Sequence, residues 1–149
     1  MKKNKLALSV VVLVVVIPVL FYLLNNRDSG FREHKWGTKK EIVKLDNCHI
    51  DAFGDLTTND MLLGKKAKVT YQFNNNDELV AGDYIILNAD KNYFDKIQKE
   101  LEKKYSRVGD NTYKRHKTFV SLTYTENLHM LMICYREIGQ KQDVKIDKL

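Results

Sequence analysis

Two stretches of this chain alternate strictly between apolar and polar positions, and one repeats at helical spacing. Val69, Tyr71 and Phe73 alternate with Thr70 and Gln72, and Val120, Leu122 and Tyr124 alternate in the same way. A period of two puts successive side chains on opposite faces, so each stretch predicts a strand with one buried face. Phe94, Ile97, Leu101 and Tyr105 recur at helical spacing, with charges between them, and predict an amphipathic helix over Asn92–Tyr105. The segment LHMLMICY, residues 128–135, is apolar on both parities. That suits a central strand covered on both faces, or one pressed against another surface. ELVAGDYIIL, residues 78–87, is also strand-like, and its Gly82 predicts a bulge.

Ahead of these elements, Thr38 and Glu41 fit a capping box that opens a short helix. Ile42, Val43 and Leu45 give it an apolar side, and it ends near Asp46-Asn47. Two turns of helix are not stable alone and must be held by packing. HIDAF, residues 49–53, predicts a strand, and DLTTNDMLLGKK, residues 55–66, a loop punctuated by Gly54 and Gly64. Turns are expected at Asn74–Asp77 and Gly109–Asn111.

The resulting order is helix, strands, helix, strands. The two helix starts, Thr38 and Asn92, lie 54 residues apart, and the alternating strands begin 51 apart, at Val69 and Val120. This spacing predicts a degenerate duplication of a helix-plus-hairpin unit. The expected fold is α+β: one antiparallel sheet with two helices on one face.

The N-terminus changes the picture of where such a domain sits. Leu6 to Leu24, LALSVVVLVVVIPVLFYLL, is 19 residues long and uncharged, with Ser9 its one polar residue. That length spans a hydrocarbon core as a helix and exceeds the apolar region of a signal peptide. No small-x-small cleavage pair follows it, which favours an uncleaved transmembrane helix over a cleaved signal and secretion. Lys2, Lys3 and Lys5 favour a cytoplasmic N-terminus, although Arg27, Arg32, Lys35, Lys39 and Lys40 flank the other side. The organisation expected is therefore residues 1–5 in the cytoplasm, 6–24 as anchor and 25–35 as linker. A domain outside the cytoplasm follows over 36–137, with a polar tail over 138–149.

Charge narrows the function classes. Lys2, Lys3 and Lys5 account for part of the net +6, and the rest of the chain holds 22 basic against 19 acidic residues. Mixed signs at that ratio exclude a nucleic-acid footprint, which needs cations concentrated on one face. No P-loop and no G-x-G-x-x-G occurs, and His34, His49, His116 and His129 lack metal-ligand spacing. No cofactor is expected.

Phe31-x4-Trp36-Gly37-Thr38-x-x-Glu41-Ile42, followed by a second amphipathic helix ending LEKKYS, resembles a group of small exported bacterial proteins of unknown function. In those a pattern like F-x-G-I-x-W-G-T-S-x-x-E-V opens the mature domain. The layout is similar at architecture level to SmpA-type lipoproteins and to the beta-lactamase inhibitor protein fold. Glu33-His34 stands where Gly-Ile is common there, and no lipid-bearing cysteine follows the apolar run. The resemblance implies an extracytoplasmic interaction domain, and the partner expected is an unidentified envelope protein. It carries over no catalytic residue.

The chemistry-bearing candidates are few. Trp36, two residues before the expected cap, is either packed over the first helix or an exposed anchor for a partner. Cys48 and Cys134 form an even pair that suits a disulfide in an oxidising compartment, or serve as two buried thiols. Lys103, Lys104, Arg107, Lys114, Arg115 and Lys117 form a basic surface, either a solvated rim or a contact for anionic lipid or an acidic partner. The expected function is a membrane-anchored, non-enzymatic protein-interaction domain in envelope assembly or inhibition. The competing class is a thiol-dependent enzyme or redox protein using Cys48 or Cys134.

Overall fold

A computed structural model describes residues 29–45 and 47–139. Its strands, in chain order, are β1 (Gly30–Phe31), β2 (His34–Lys35), β3 (His49–Ile50), β4 (Leu56–Leu62), β5 (Lys65–Phe73) and β6 (Leu79–Ile86). They continue with β7 (Ser106–Gly109), β8 (Thr112–Arg115), β9 (Thr118–Thr125) and β10 (Met130–Glu137). Helix α1 is Lys40–Val43 and α2 is Lys91–Lys104. β1 and β2 form a small hairpin. The other eight strands make one antiparallel sheet in the order β3-β4-β5-β6-β10-β9-β8-β7.

The expected α+β fold, a repeated helix-plus-hairpin unit with two helices on one face of the sheet, is therefore corrected. The chain is mostly β, and each half contributes four consecutive strands, the halves meeting where β6 pairs with β10. The transmembrane helix expected over 6–24 lies outside the described residues. Among the described residues no helix is long and apolar enough to cross a membrane.

Extra strands come from segments whose composition hides them. The expected loop DLTTNDMLLGKK is β4 and its turn into β5. Asn59 and Asp60 are poor strand formers, but full pairing with β5 from Leu56↔Tyr71 to Leu62↔Lys65 overrides that preference. Leu63 and Gly64, both at positive φ, make the tight two-residue connection. HIDAF yields only the two-residue β3, and β7 and β8 flank the expected turn at Gly109–Asn111.

The first helix shrinks for the opposite reason. Gly37 N–H donates to Leu79 C=O, Leu79 N–H to Thr38 C=O, and Lys40 N–H to Asp77 C=O. This ladder keeps the backbone extended through Lys39, so the helix is one turn and Thr38 cannot cap it. Thr38 Oγ1 instead donates to Lys35 C=O at 2.7 Å. In α2 the expected helix stands, and Asp90 caps it by accepting from Tyr93 N–H at 2.7 Å.

One face of the sheet holds both core clusters. Ile86, Leu131, Ile133, Leu122, Val120 and Tyr113 pack against Phe94, Ile97 and Leu101 of α2. Val43, Leu56, Val69, Tyr71 and Leu79 pack around Phe31. Phe31 is 1% exposed, so the linker expected over 25–35 gives way to folded chain by Gly30. The expected bulge is displaced as well: register slips between Gln72 and Phe73, opposite Leu79–Ala81. Gly82 is required by something else, the Phe31 ring lying on its backbone.

Candidate functional site

The pairing registers place one row of small polar side chains across the opposite face. Thr57↔Thr70, Thr70↔Asp83, Asp83↔Cys134, Cys134↔Ser121 and Ser121↔Thr112 are successive cross-strand partners. Because side chains alternate along each strand, all six are on the face opposite the core clusters, where Thr57 and Thr70 are buried and the other four half-buried. Neither core cluster draws a residue from this face. Beside the row lie Ile85, Met132 and Phe119, all half-buried.

Asp83 is at the centre of the row. Gln72 Nε2 donates to its Oδ2 at 2.7 Å, and the Cys134 thiol hydrogen-bonds to it. Burial pushes the Asp83 carboxyl above the usual carboxylate range, against the opposing pull of Cys134, Arg136 and Gln72. Burial and Asp83 together push the Cys134 thiol up to about 12, while Ser121 opposes by hydrogen-bonding the sulfur. A thiol so placed stays protonated at neutral pH and is a weak nucleophile.

Cations surround this centre. The strand positions of the open face carry Lys66, Lys68, Lys114 and Arg136, with Asp83 as carboxylate among them and Asp55, just before β4, acting on Lys68 and Asp83. At one end a shallow groove of about 450 Å³ is lined by Asn59, Lys66, Lys68, Ile85, Leu87 and Asn88 among others. It is open and mixed in polarity, unlike the enclosed apolar pockets that hold small ligands.

The residues singled out from sequence fall in three places. Cys134 lies on the open face, whereas Cys48 packs against the cluster around Phe31, and the two cysteines are not joined to one another. Trp36 is half-buried on the core side, its Nε1 donating to Thr118 Oγ1 at 3.1 Å. The basic residues gather where α2 ends: Arg115 Nη1 donates to Lys104 C=O, Lys114 pairs with Ser106, and Arg107 with Tyr113. Part of that charge is offset, by Glu100 at 2.6 Å from Lys103 and Glu102 at 3.5 Å from Arg107. His49, His116 and His129 are exposed, and the side chains that perturb the Cys134 thiol are Asp83, Arg136 and Ser121. Among the described residues no three His, Cys, Asp or Glu side chains converge on a point that would hold a metal ion.

Asp83, Gln72 and Ser121 carry no sequence signature. A lone acid at an alternating position reads as a solvated residue. Only the register of four strands brings it against a glutamine and a thiol, with a serine on the thiol's other side. Compared with protein-family models, with curated proteins and with solved structures, the chain gives no match in any of the three.

Proposed function

We propose that this chain is a membrane-anchored protein-interaction domain outside the cytoplasm, binding a protein partner on the open face of its sheet. The observation that supports this reading is the face itself. It combines half-buried apolar side chains, Ile85, Met132 and Phe119, with a central polar row and a cationic surround. Non-obligate protein–protein interfaces mix apolar and polar area in about the proportion of the surface at large, and this face has both. The cations Lys66, Lys68, Lys114 and Arg136 favour a partner whose own rim is acidic. The uncharged Leu6–Leu24 run supports the anchor, and Lys2, Lys3 and Lys5 support the topology. The resemblance to exported bacterial proteins supports a role in envelope assembly or inhibition.

The competing thiol-enzyme reading is disfavoured by Cys134, whose environment suppresses the thiolate such chemistry needs. A photo-crosslinking residue placed at Met132 in the full-length protein, in its own membrane, tests the proposal. Capture of one defined protein from Met132, and not from Lys99 on the outer side of α2, is the expected result. Equal capture from both positions, or none from Met132, sinks the open-face reading.

A further inference from the structure

Both the entry of the chain into the domain and its last described residues lie on one rim of the sheet. Trp36 N–H donates to Ser29 C=O at 3.0 Å, and the Trp36 indole donates to Thr118. Thr118 pairs with Arg115 to close the two-residue turn His116-Lys117. Ile138 N–H donates to Lys117 C=O at 2.7 Å, which puts the end of β10 on the same turn. Lys104, at the C-terminal end of α2, joins them through the Arg115 hydrogen bond to its carbonyl. This rim therefore carries a half-buried tryptophan, an exposed isoleucine at Ile138 and the exposed cations Lys35, Lys104 and Lys117. Among the described residues none of those three lysines is in an ion pair. Glu137, opposite Thr118, is a carboxylate beside them, and Glu100 acts on Lys104.

The length of chain outside the structure says what faces this rim. Only Asn25 to Asp28 separate the end of the apolar run at Leu24 from Ser29. Five residue steps reach at most about 18 Å even when fully extended. A domain of about this size has a radius of gyration of about 13 Å, so its far side cannot swing round to the bilayer on such a tether. The tether keeps Ser29 and its rim within about 18 Å of the end of the apolar run, whichever way the chain crosses. Tryptophan and lysine are the side chains that suit the headgroup layer, one offering an amphipathic ring and the other a cation for anionic lipid.

We infer that the rim formed by Trp36, Lys35, Lys104, Lys117 and Ile138 docks on anionic lipid headgroups, orienting the domain on its membrane. This rests on the anchor proposed above. It uses a surface separate from the open face, and it settles how that face is presented to a partner.

Trp36 is the chain's one tryptophan and reports its own position. The full-length protein is reconstituted into phosphatidylcholine vesicles with and without phosphatidylglycerol, using lipids brominated near the headgroup end of the acyl chain as quenchers. Quenching of Trp36 is expected to be stronger in the anionic vesicles and to fall with added salt. Each lysine near an anionic surface is worth roughly a five-fold change in the docked-to-undocked ratio, so Lys35→Glu and Lys117→Glu together should abolish the difference. A circular dichroism spectrum identical to the parent's confirms that the double variant is folded. Resistance to alkaline carbonate extraction reads the anchor separately: a protein that is extracted overturns the anchor, and the inference with it. A protein that resists extraction yet shows equal, salt-insensitive Trp36 quenching in both vesicle types overturns the docking inference alone, and assigns the rim to an acidic protein.

Discussion

The ring of Phe31 fills the space where any other residue at position 82 would carry its side chain. A Cβ built on Gly82 would lie 2.1 Å from Phe31 Cδ1. Around that contact stand Tyr71, Tyr84 and Tyr135, each with its ring centroid 5.3 Å from Phe31. Tyr71 and Tyr135 are the cross-strand neighbours of Gly82 on either side, so the glycine opens a gap in the aromatic floor and Phe31 plugs it. This insertion fastens the short hairpin before the helix to the centre of the sheet.

Phe31→Ala should cost about 3–5 kcal/mol, the range for truncating a buried aromatic. Gly82→Ala should cost about 1–3 kcal/mol, because the ring has no room to retreat among three tyrosines. Denaturant unfolding of both single variants and the double variant measures the coupling. In a Phe31→Ala background the alanine at 82 no longer meets a ring, so the double variant should be clearly more stable than the sum predicts. Additive costs would show that the two residues do not touch.

Helix capping in the folded chain inverts what the local sequence suggests. Thr38 is half-buried, donates its hydroxyl to Lys35 C=O and caps nothing, so Thr38→Ala should be nearly neutral, within about 0.5 kcal/mol. Asp90→Ala removes the accepted bond from Tyr93 N–H and should cost about 0.5–2 kcal/mol. Thermal melts of the two variants, side by side, decide between these caps.

How far the sequence reveals this fold follows from which forces are local. The alternation around Tyr71 and Leu122 and the helical spacing of α2 are local, and those elements are where the pattern puts them. β4 is not local. Its Thr, Asn and Asp positions become a strand only through β5, aided by the Arg32–Asp60 ion pair at 2.8 Å. The capping box at Thr38 is a correct local signal overridden by backbone pairing with residues almost forty positions later. The Asp83–Cys134 pair is legible only in part. Cys134 stands out as one of two cysteines, but its partner depends on a register that composition does not set.

Asp83 and Cys134 give the open face a defined pH behaviour. The folded state holds the Asp83 proton to higher pH than the unfolded chain, whose ordinary value is 3.8. Its contribution to stability is therefore present below that value and lost as pH rises through the raised folded one. The Cys134 thiol behaves alike between 9.0 and about 12. Asp83→Asn should remove the acidic part of this dependence. It should also speed alkylation of Cys134 at pH 8.5, by about tenfold for each unit the thiol falls, since the thiolate is the reacting species. Iodoacetamide kinetics resolved by mass spectrometry of the Cys134 peptide give the rate directly. An unchanged rate would show that Asp83 does not face the sulfur.

Trp36 spans from the N-terminal hairpin to β9, on the far half of the sheet, and its indole N–H donates to a threonine that is fully buried. Trp36→Phe keeps most of the ring and deletes the donor. It should cost about 0.5–1.5 kcal/mol, the net worth of one hydrogen bond, well short of a full aromatic truncation. Stability matching the parent in urea unfolding would mean that the bond to Thr118 contributes nothing.

Tyr113 offers the opposite test, a gain from deleting a polar group. Its side chain is completely buried against α2 and β9, and its hydroxyl is the buried side-chain polar atom left without a hydrogen-bond partner among the described residues. A hydroxyl brought out of water and given no partner loses its solvation, which costs about 1–3 kcal/mol. The ring is in a different position, because its apolar area packs with Val120 and the α2 side chains and stabilises the sheet. Tyr113→Phe keeps the ring, removes the stranded oxygen and leaves a void smaller than a methyl group. The variant should therefore be more stable than the parent by up to about 1 kcal/mol, the small void offsetting part of the gain. Urea unfolding gives the sign through the midpoint, provided the slope is unchanged. A lower midpoint for the phenylalanine variant would mean that the hydroxyl is satisfied, by a water that enters the core beside α2.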